Sequence, residues 1–521
     1  MTDPSPGPGT LPRFRPSREG FDNDRYLEVQ AAAIVERVER FSGKLYLEFG
    51  GKLLHDMHAA RVLPGYDPDV KVKLLKRLED MVEIVFCIHA GDIEKGRIRG
   101  DFGLTYDVAS LKTFDDIERF GFRVSAVIVN RYRGQASADR FLRFIGSRGI
   151  PVYTQPEIQG YPADVERIVS EEGYGRNPFV PTGKPLVIVT GAGPGSGKMS
   201  TCLSQVYHHH LRGEPAGFAK FETFPIWNLP LDHPVNLAYE AATADLRDRN
   251  LVDPFHLAAY GVAAINYNRD IENFSIMKEI IARIGDGGSF LNTYRSPTDM
   301  GVNRARDGIV DDSVVREAAR QEIVRRHFRY EWECKRGFES RETVDVVEKL
   351  MQQVGVKPTD RPTVPAAREA AASAEALGKG NRGVYCAAAI ELPGGEIVVG
   401  RNTPLLHAES AVVLKAIKRL GGIPEEIALL PDGIIANIAR LKQDILGGKS
   451  ASLNVEEALV ALSMSAATNP TSEHCMRRLV LLAGCEMHTT HVVGKGDENG
   501  LRKLRLNLTT DALPTSRGFY Y

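Results

Sequence analysis

The stretch Leu186-Val187-Ile188-Val189-Thr190, running into Gly191-Ala192-Gly193-Pro194-Gly195-Ser196-Gly197-Lys198-Met199-Ser200-Thr201, decides how this chain is read. An apolar, β-branched run suits a strand buried on both faces of a parallel sheet. Beyond the glycines, Leu203, Val206, Tyr207 and Leu211 recur at helical spacing, so the segment reads as strand, glycine-rich turn and helix. Absent side chains let consecutive backbone N–H groups curl around an anion at a helix N-terminus, and a lysine adds positive charge. Gly193, Gly195, Ser196, Gly197 and Lys198 supply that chemistry.

The spacing departs from the G-x-x-x-x-G-K-[ST] pattern at two places. Ala192 stands where the first glycine belongs, and Met199 where a hydroxyl would hold magnesium. A thioether is no ligand for a hard cation, and Ser200 lies about 100° further round the helix, so the magnesium half of the mechanism is in doubt. The expectation is therefore binding rather than hydrolysis: an anionic small molecule, a phosphate ester or a nucleotide such as ATP or GTP. The alternative is a structural glycine turn that lets strand and helix pack closely.

With 521 residues the chain exceeds one hydrophobic core, which predicts several packed units. Its 66 basic and 67 acidic residues leave a net charge of -1, which speaks against nucleic-acid and membrane-surface partners, so anionic ligands must be met by local charge. Six cysteines without C-x-x-C spacing read as reduced thiols. No signal-peptide pattern or membrane-length apolar run is found, and a soluble, cytoplasmic protein is expected.

Residues 1–20, rich in proline and poor in apolar side chains, read as a disordered tail. An α/β domain with a parallel, Rossmann- or P-loop-like sheet is expected over 21–236. Its helix Tyr26 to Arg40 precedes strands at Lys44–Phe49, Val82–Ile88, Val124–Val129 and Ile150–Tyr153, with Leu186–Thr190 as the fifth. In such sheets ligands lie beyond the C-terminal strand ends, where Gly50-Gly51-Lys52, His89 to Asp92, Asn130-Arg131 and Gly191 to Lys198 would converge. Gly50-Gly51-Lys52-Leu53 also resembles the glycine turn of amino-acid kinases. Glu222 and Asp270 are the two alternatives for an acid of Walker B type.

A mainly helical subdomain is expected over 237–356. Within it Tyr294 to Arg304 reads either as a capped turn or as an anion clasp using Arg295 and Arg304. Arg316 to Arg336 reads as a solvated helix face. His208-His209-His210 cannot converge on one metal, because adjacent helix positions point about 100° apart.

A proline-containing linker, Lys357 to Arg368, introduces a C-terminal α/β unit over 357–521. There a hairpin, Val384–Glu391 with Ile397–Arg401, leads to His407-Ala408-Glu409 opening a helix, an order that resembles the cytidine-deaminase fold. The P-C-x-x-C half of that signature is missing. Its nearest counterpart, Pro470 to Cys475, offers Thr471 and His474 where thiolates belong, so a deaminase-like layer is expected more than a zinc enzyme. Asp497-Glu498 reads as an acidic turn.

Phe49 to Leu53, His58 to Gly65, Gly193 to Lys198, Ser296 to Asn303 and Ala466 to Pro470 together resemble the uncharacterised bacterial protein family 0371, domain of unknown function 1846. The resemblance spans nearly the whole chain, implies a cytosolic multidomain α/β protein and brings no catalytic residue with it. The residues themselves therefore carry the functional expectation. Gly193, Gly195, Ser196, Gly197, Lys198 and Ser200 bind a nucleotide or phosphate ester, Lys52, Arg61 or Arg295 complete the pocket, and phosphotransfer is the reaction considered. A non-enzymatic, homo-oligomeric binding protein is the alternative, and a zinc hydrolase at His407 a third.

Overall fold

A computed structural model describes residues 18–41, 43–99, 104–285, 294–448 and 450–514. Most of the expected tail, residues 1–17, lies outside the described residues. Gly20 is already packed, its amide donating to the Pro64 carbonyl at 2.8 Å. The chain forms two compact units, Glu19–Ala319 and Arg320–Tyr521, so the helical stretch 237–356 is divided between them.

The first unit is built on a seven-stranded sheet. Its strands are β1 (Lys44–Phe49), β2 (Val82–His89), β3 (Val124–Asn130), β4 (Val152–Gln155), β5 (Leu186–Gly191), β6 (Ala216–Phe221) and β7 (Gly301–Val302). They lie in the order β7-β6-β1-β5-β2-β3-β4, and every neighbouring pair is parallel. The reason is in the sequence: Leu45, Tyr46, Leu47 and Phe49, like Leu186 to Val189, are buried on both faces. Helix α1 (Asn23–Arg40) starts at Asp22, whose side chain caps it, and its fully buried Gln30 fixes the edge strand by donating to the Val302 carbonyl at 3.1 Å. Helix α2 (Lys198–Leu211) follows β5 through the glycine turn, and α3 (Asn268–Ile284) packs later in the unit.

The order places β5 between β1 and β2, so the glycine turn emerges at the centre of the C-terminal edge rather than at its flank. The segment 294–304 is a capped turn: Ser296 and Asp299 form a reciprocal capping box. In the histidine run, His208 reaches the Asn177 carbonyl, while buried His209 bonds Tyr46 and Glu214, so the rings do diverge.

In the second unit, α4 (Thr363–Ala376) begins inside the stretch read as linker, Pro365 sitting in its first turn where it forfeits no helical hydrogen bond. A four-stranded sheet follows, formed by β8 (Ala387–Glu391), β9 (Ile397–Arg401), β10 (Glu486–Thr489) and β11 (Asn507–Thr510) in the order β9-β8-β10-β11. Helices α5 (Ala408–Leu420), α6 (Val455–Ala466) and α7 (Lys495–Lys503) belong to the same unit.

Two expectations are corrected here. Asp497 and Glu498 are not a turn but the first turn of α7, in a segment whose glycines argue for a loop. Gly500 is there because a Cβ would meet Val455 Cγ1 at 2.5 Å. The supposed solvated face 316–336 contains Glu322, fully buried and paired with Arg325 and Arg326, and Arg325 also chelates Glu486 at 2.8 and 2.9 Å. Spacing alone cannot distinguish a buried ion-pair network from a surface one.

Candidate functional site

The glycine turn is shaped by what lies beneath it. Gly195 and Gly197 adopt φ of +72° and +88°, a region open to glycine at little cost. Asn130, at the end of β3 and 5% exposed, donates from Nδ2 to the Ser196 carbonyl at 2.7 Å and to Thr201 Oγ1 at 3.4 Å. Thr201 in turn donates to Gln155 Oε1, at the end of β4, at 3.1 Å. Three strand and helix ends thereby clamp one loop from below.

Above the clamp lies a cleft of about 260 Å³ lined by Gly195, Gly197, Lys198, Met199 and Ser200, together with Glu48, Arg131 and Tyr161 among others. Among the described residues, no protein acceptor engages the amides of Gly195, Gly197, Lys198, Met199 or Ser200, and the Lys198 ammonium has no ion pair. Arg131, exposed and held at φ +52°, likewise brings its guanidinium to the cleft without a carboxylate partner. A positive φ at an arginine is strained backbone of the kind that gathers at ligand sites. Burial pushes the Tyr161 phenol up to about 12, so it is a hydrogen-bond donor throughout the physiological range.

The expected residues divide. Gly195, Gly197, Lys198 and Ser200 line the cleft, as the turn's spacing predicts. Gly193 faces away: a Cβ there would meet the Tyr106 ring at 2.8 Å, so this glycine serves packing. Ser196 is 2% exposed and its hydroxyl is turned under the loop toward Gly191. Lys52 and Arg61 are half-buried and do not line the cleft. The turn before Lys52 is instead held by Lys71, a buried ammonium that reaches the Gly50 carbonyl at 3.4 Å and pairs with Asp56 at 2.9 Å. Arg295 lies over the Tyr260 ring, 5.2 Å from its centroid, outside the cleft.

Two acids line the cleft, neither of them Glu222 or Asp270: Glu157, which pairs with Arg133, and Glu48. It ends the apolar run of β1, directly beside β5, with Glu48 opposite Val189, and one of its carboxylate oxygens is buried without a hydrogen-bond partner. Glu222 and Asp270 belong to a neighbouring cluster in which Asp270 accepts from the buried Lys220 ammonium at 2.6 Å. Burial, with Asp270 next in weight, pushes the Glu222 carboxyl from its ordinary 4.5 up to about 8. Below the lower value both folded and unfolded chains hold this proton. Between the two values only the folded chain does, so stability falls as pH rises, and above about 8 the full penalty remains. Glu222→Gln is therefore expected to leave stability unchanged near pH 4.5 and to raise it by roughly 2 kcal/mol or more at pH 8, read by urea unfolding at both pH values.

In the second unit the Pro470 to Cys475 segment does not meet His407. His474 contacts the Gly421 carbonyl at 3.2 Å, at the C-terminal end of α5, whereas His407 caps its N-terminal end, about 20 Å away at the helical rise. Among the described residues, no helix is long and apolar enough to cross a membrane.

Comparison with known proteins places this geometry in a family. The model described as domain of unknown function DUF1846, N-terminal, matches residues 19–355, and its C-terminal counterpart matches residues 359–520. The chain belongs to the DUF1846 family. A UPF0371 protein of Clostridium tetani is 48% identical over 502 residues, covering 96% of this chain and 99% of the relative. One from Clostridium botulinum (strain 657 / Type Ba4) is 48% identical over 505 residues, covering 97% and 99%. Among solved structures, the ADP form of the Aeropyrum pernix ORC2 protein covers 91% of this chain and 94% of its own at 11% identity, with a TM-score of 0.15, too low to bear on the fold. The DUF1846 boundary at 355–359 falls just ahead of α4.

Proposed function

We propose that the cleft over the glycine turn binds the phosphate end of a phosphate ester or nucleotide. The observation that carries this reading is the pairing of two cations without carboxylate partners, Lys198 and Arg131, with five backbone amides that no acceptor engages among the described residues, at the N-terminus of a 14-residue helix. The aligned peptide dipoles and the free N–H groups favour a negative ligand there, and a charge-assisted hydrogen bond is about twice as strong as a neutral one. The volume limits the ligand. About 260 Å³ lies below the ~300–1,000 Å³ of sites that enclose a drug-sized molecule, so the cleft suits a phosphate-bearing end while the remainder of a nucleotide stays outside.

Phosphotransfer enters through Glu48. On this reading the Glu48 carboxylate on the cleft wall takes a proton from an incoming hydroxyl or shares a cation with the bound phosphate, the role that Met199 cannot fill. Ser200 and Tyr161 supply hydroxyls on the same wall. The test is a thermal-shift panel on the full chain with inorganic phosphate, pyrophosphate, sugar phosphates, ATP and GTP, each with and without magnesium. A ligand at a hundredfold excess over its Kd stabilises by about 2.7 kcal/mol. No rise across the panel would favour the non-enzymatic scaffold. Glu48→Gln is expected to keep ligand binding within about threefold while removing any transfer activity, a split that a purely structural Glu48 would not give.

We read the C-terminal sheet as a deaminase-like layer, supported by the hairpin β8–β9 leading into a helix that opens on His407 and Glu409.

A further inference from the structure

Glu409 sits in the first turn of α5 and is fully buried, yet neither of its carboxylate oxygens makes a hydrogen bond. The nearest cation is His491, whose Nε2 lies 3.1 Å from one of them. A second carboxylate, Asp497 in the first turn of α7, is 2% exposed at the same place. One of its oxygens accepts from the Val455 amide at 2.9 Å, at the N-terminus of α6, and the other contacts His407 Nδ1 at 2.8 Å. An imidazole nitrogen of His407 and a carboxylate oxygen from each of Glu409 and Asp497 all lie within 4.8 Å of one another. A buried carboxylate oxygen without a donor is costly, and two ionised carboxylates repel at this range. A divalent cation removes both penalties at once.

We propose that His407, Glu409 and Asp497 form a binding site for a first-row divalent metal ion, with His491 orienting Glu409 from behind. One imidazole and two carboxylates form a nitrogen and oxygen donor set suited to zinc, manganese or ferrous iron. Ligating carboxylates in such sites are themselves held by a polar group, and His491 Nε2 lies 3.1 Å from Glu409. Three protein ligands leave a position open, and of the three the His407 side chain, at 36% exposed, is the one that reaches solvent. This is the arrangement of a site that polarises a bound water or a small oxygen ligand, not that of a closed structural site. The second cluster of this kind, His327, Glu331 and Glu348, carries no such argument, because the Arg341 guanidinium already bridges both of its glutamates at 2.7 and 2.8 Å.

The test is equilibrium dialysis of the full chain, stripped with chelator, against zinc and manganese chlorides. About one equivalent is expected per chain, with the affinity falling at least ~10-fold in Glu409→Gln and in Asp497→Asn. A His210→Ala control in the histidine run should bind as wild type does. Cobalt(II) loading of the wild type needs no variant and should give visible bands of an oxygen and nitrogen donor set. No binding at large metal excess, equal binding by Glu409→Gln, or a strong thiolate-to-cobalt band from Cys386, which neighbours His491, would each overturn the assignment.

Discussion

Lys198→Ala is expected to abolish the ligand-induced rise in melting temperature while leaving the unliganded protein about as stable as wild type. The two halves of this result have separate causes. Among the described residues the ammonium has no hydrogen-bond or ion-pair partner, so its removal breaks no such bond. It is also the cation at the start of the helix whose free amides face the cleft, and losing one charge-assisted hydrogen bond to a phosphate costs about 1.5–3 kcal/mol, or roughly 10- to 150-fold in Kd. Isothermal titration calorimetry with the best ligand of the panel reads the affinity, and urea unfolding without ligand reads the stability. A variant that keeps wild-type affinity would remove the phosphate reading. Arg131→Ala should weaken binding in the same sense but less, because its guanidinium is exposed and screened.

Gly197→Ala is expected to destabilise the first unit by roughly 3 kcal/mol or more, whereas Gly195→Ala should cost only about 1 kcal/mol. Both glycines have positive φ, so both substitutions carry backbone strain. They differ in what a methyl group meets. At Gly195 there is nothing within 4 Å, while at Gly197 the new carbon would lie 2.5 Å from Asn130 Nδ2. Asn130 would have to swing away from the Ser196 carbonyl and Thr201, leaving buried polar groups without partners. Urea midpoints of the two variants, compared side by side, measure the difference. Equal midpoints would mean that the clamp beneath the loop contributes little.

Much of the parallel sheet was legible because its signals are local. β1 stands at Lys44–Phe49, where the pattern puts it, and the apolar run 186–190 marks its own burial. The glycine turn was legible for the same reason, since a run of glycines before a lysine is a statement about local backbone. Glu48 was visible too: Leu45-Tyr46-Leu47-Glu48 is an apolar run ending in an acid, the pattern sought in vain around Glu222. It was passed over because strand adjacency is not written locally. Only the order β6-β1-β5 brings a residue 150 positions upstream of Lys198 to its side.

In the C-terminal unit the same limit shows more sharply. His407 and Glu409 are legible by their place at a helix start, but the segment that resembles the missing half of the signature, Pro470 through Cys475, lies the length of α5 away from them. Asp497 comes from a segment whose glycines suggest a loop and which folds as a helix because tertiary packing accepts those glycines, and His491 from the connection just ahead of it.

The sequence by itself determined the α/β class, the parallel strands and a glycine turn ahead of a helix, since each follows from periodicity, burial preference or backbone freedom within about 20 residues, and its motifs along nearly the whole chain carried the family. Tertiary structure alone decided which charged groups face that N-terminus, which glycines serve packing and which carboxylates are left without donors. Those outcomes depend on the lateral order of strands and the packing of helix ends, and that order is set by contacts between residues far apart in the chain.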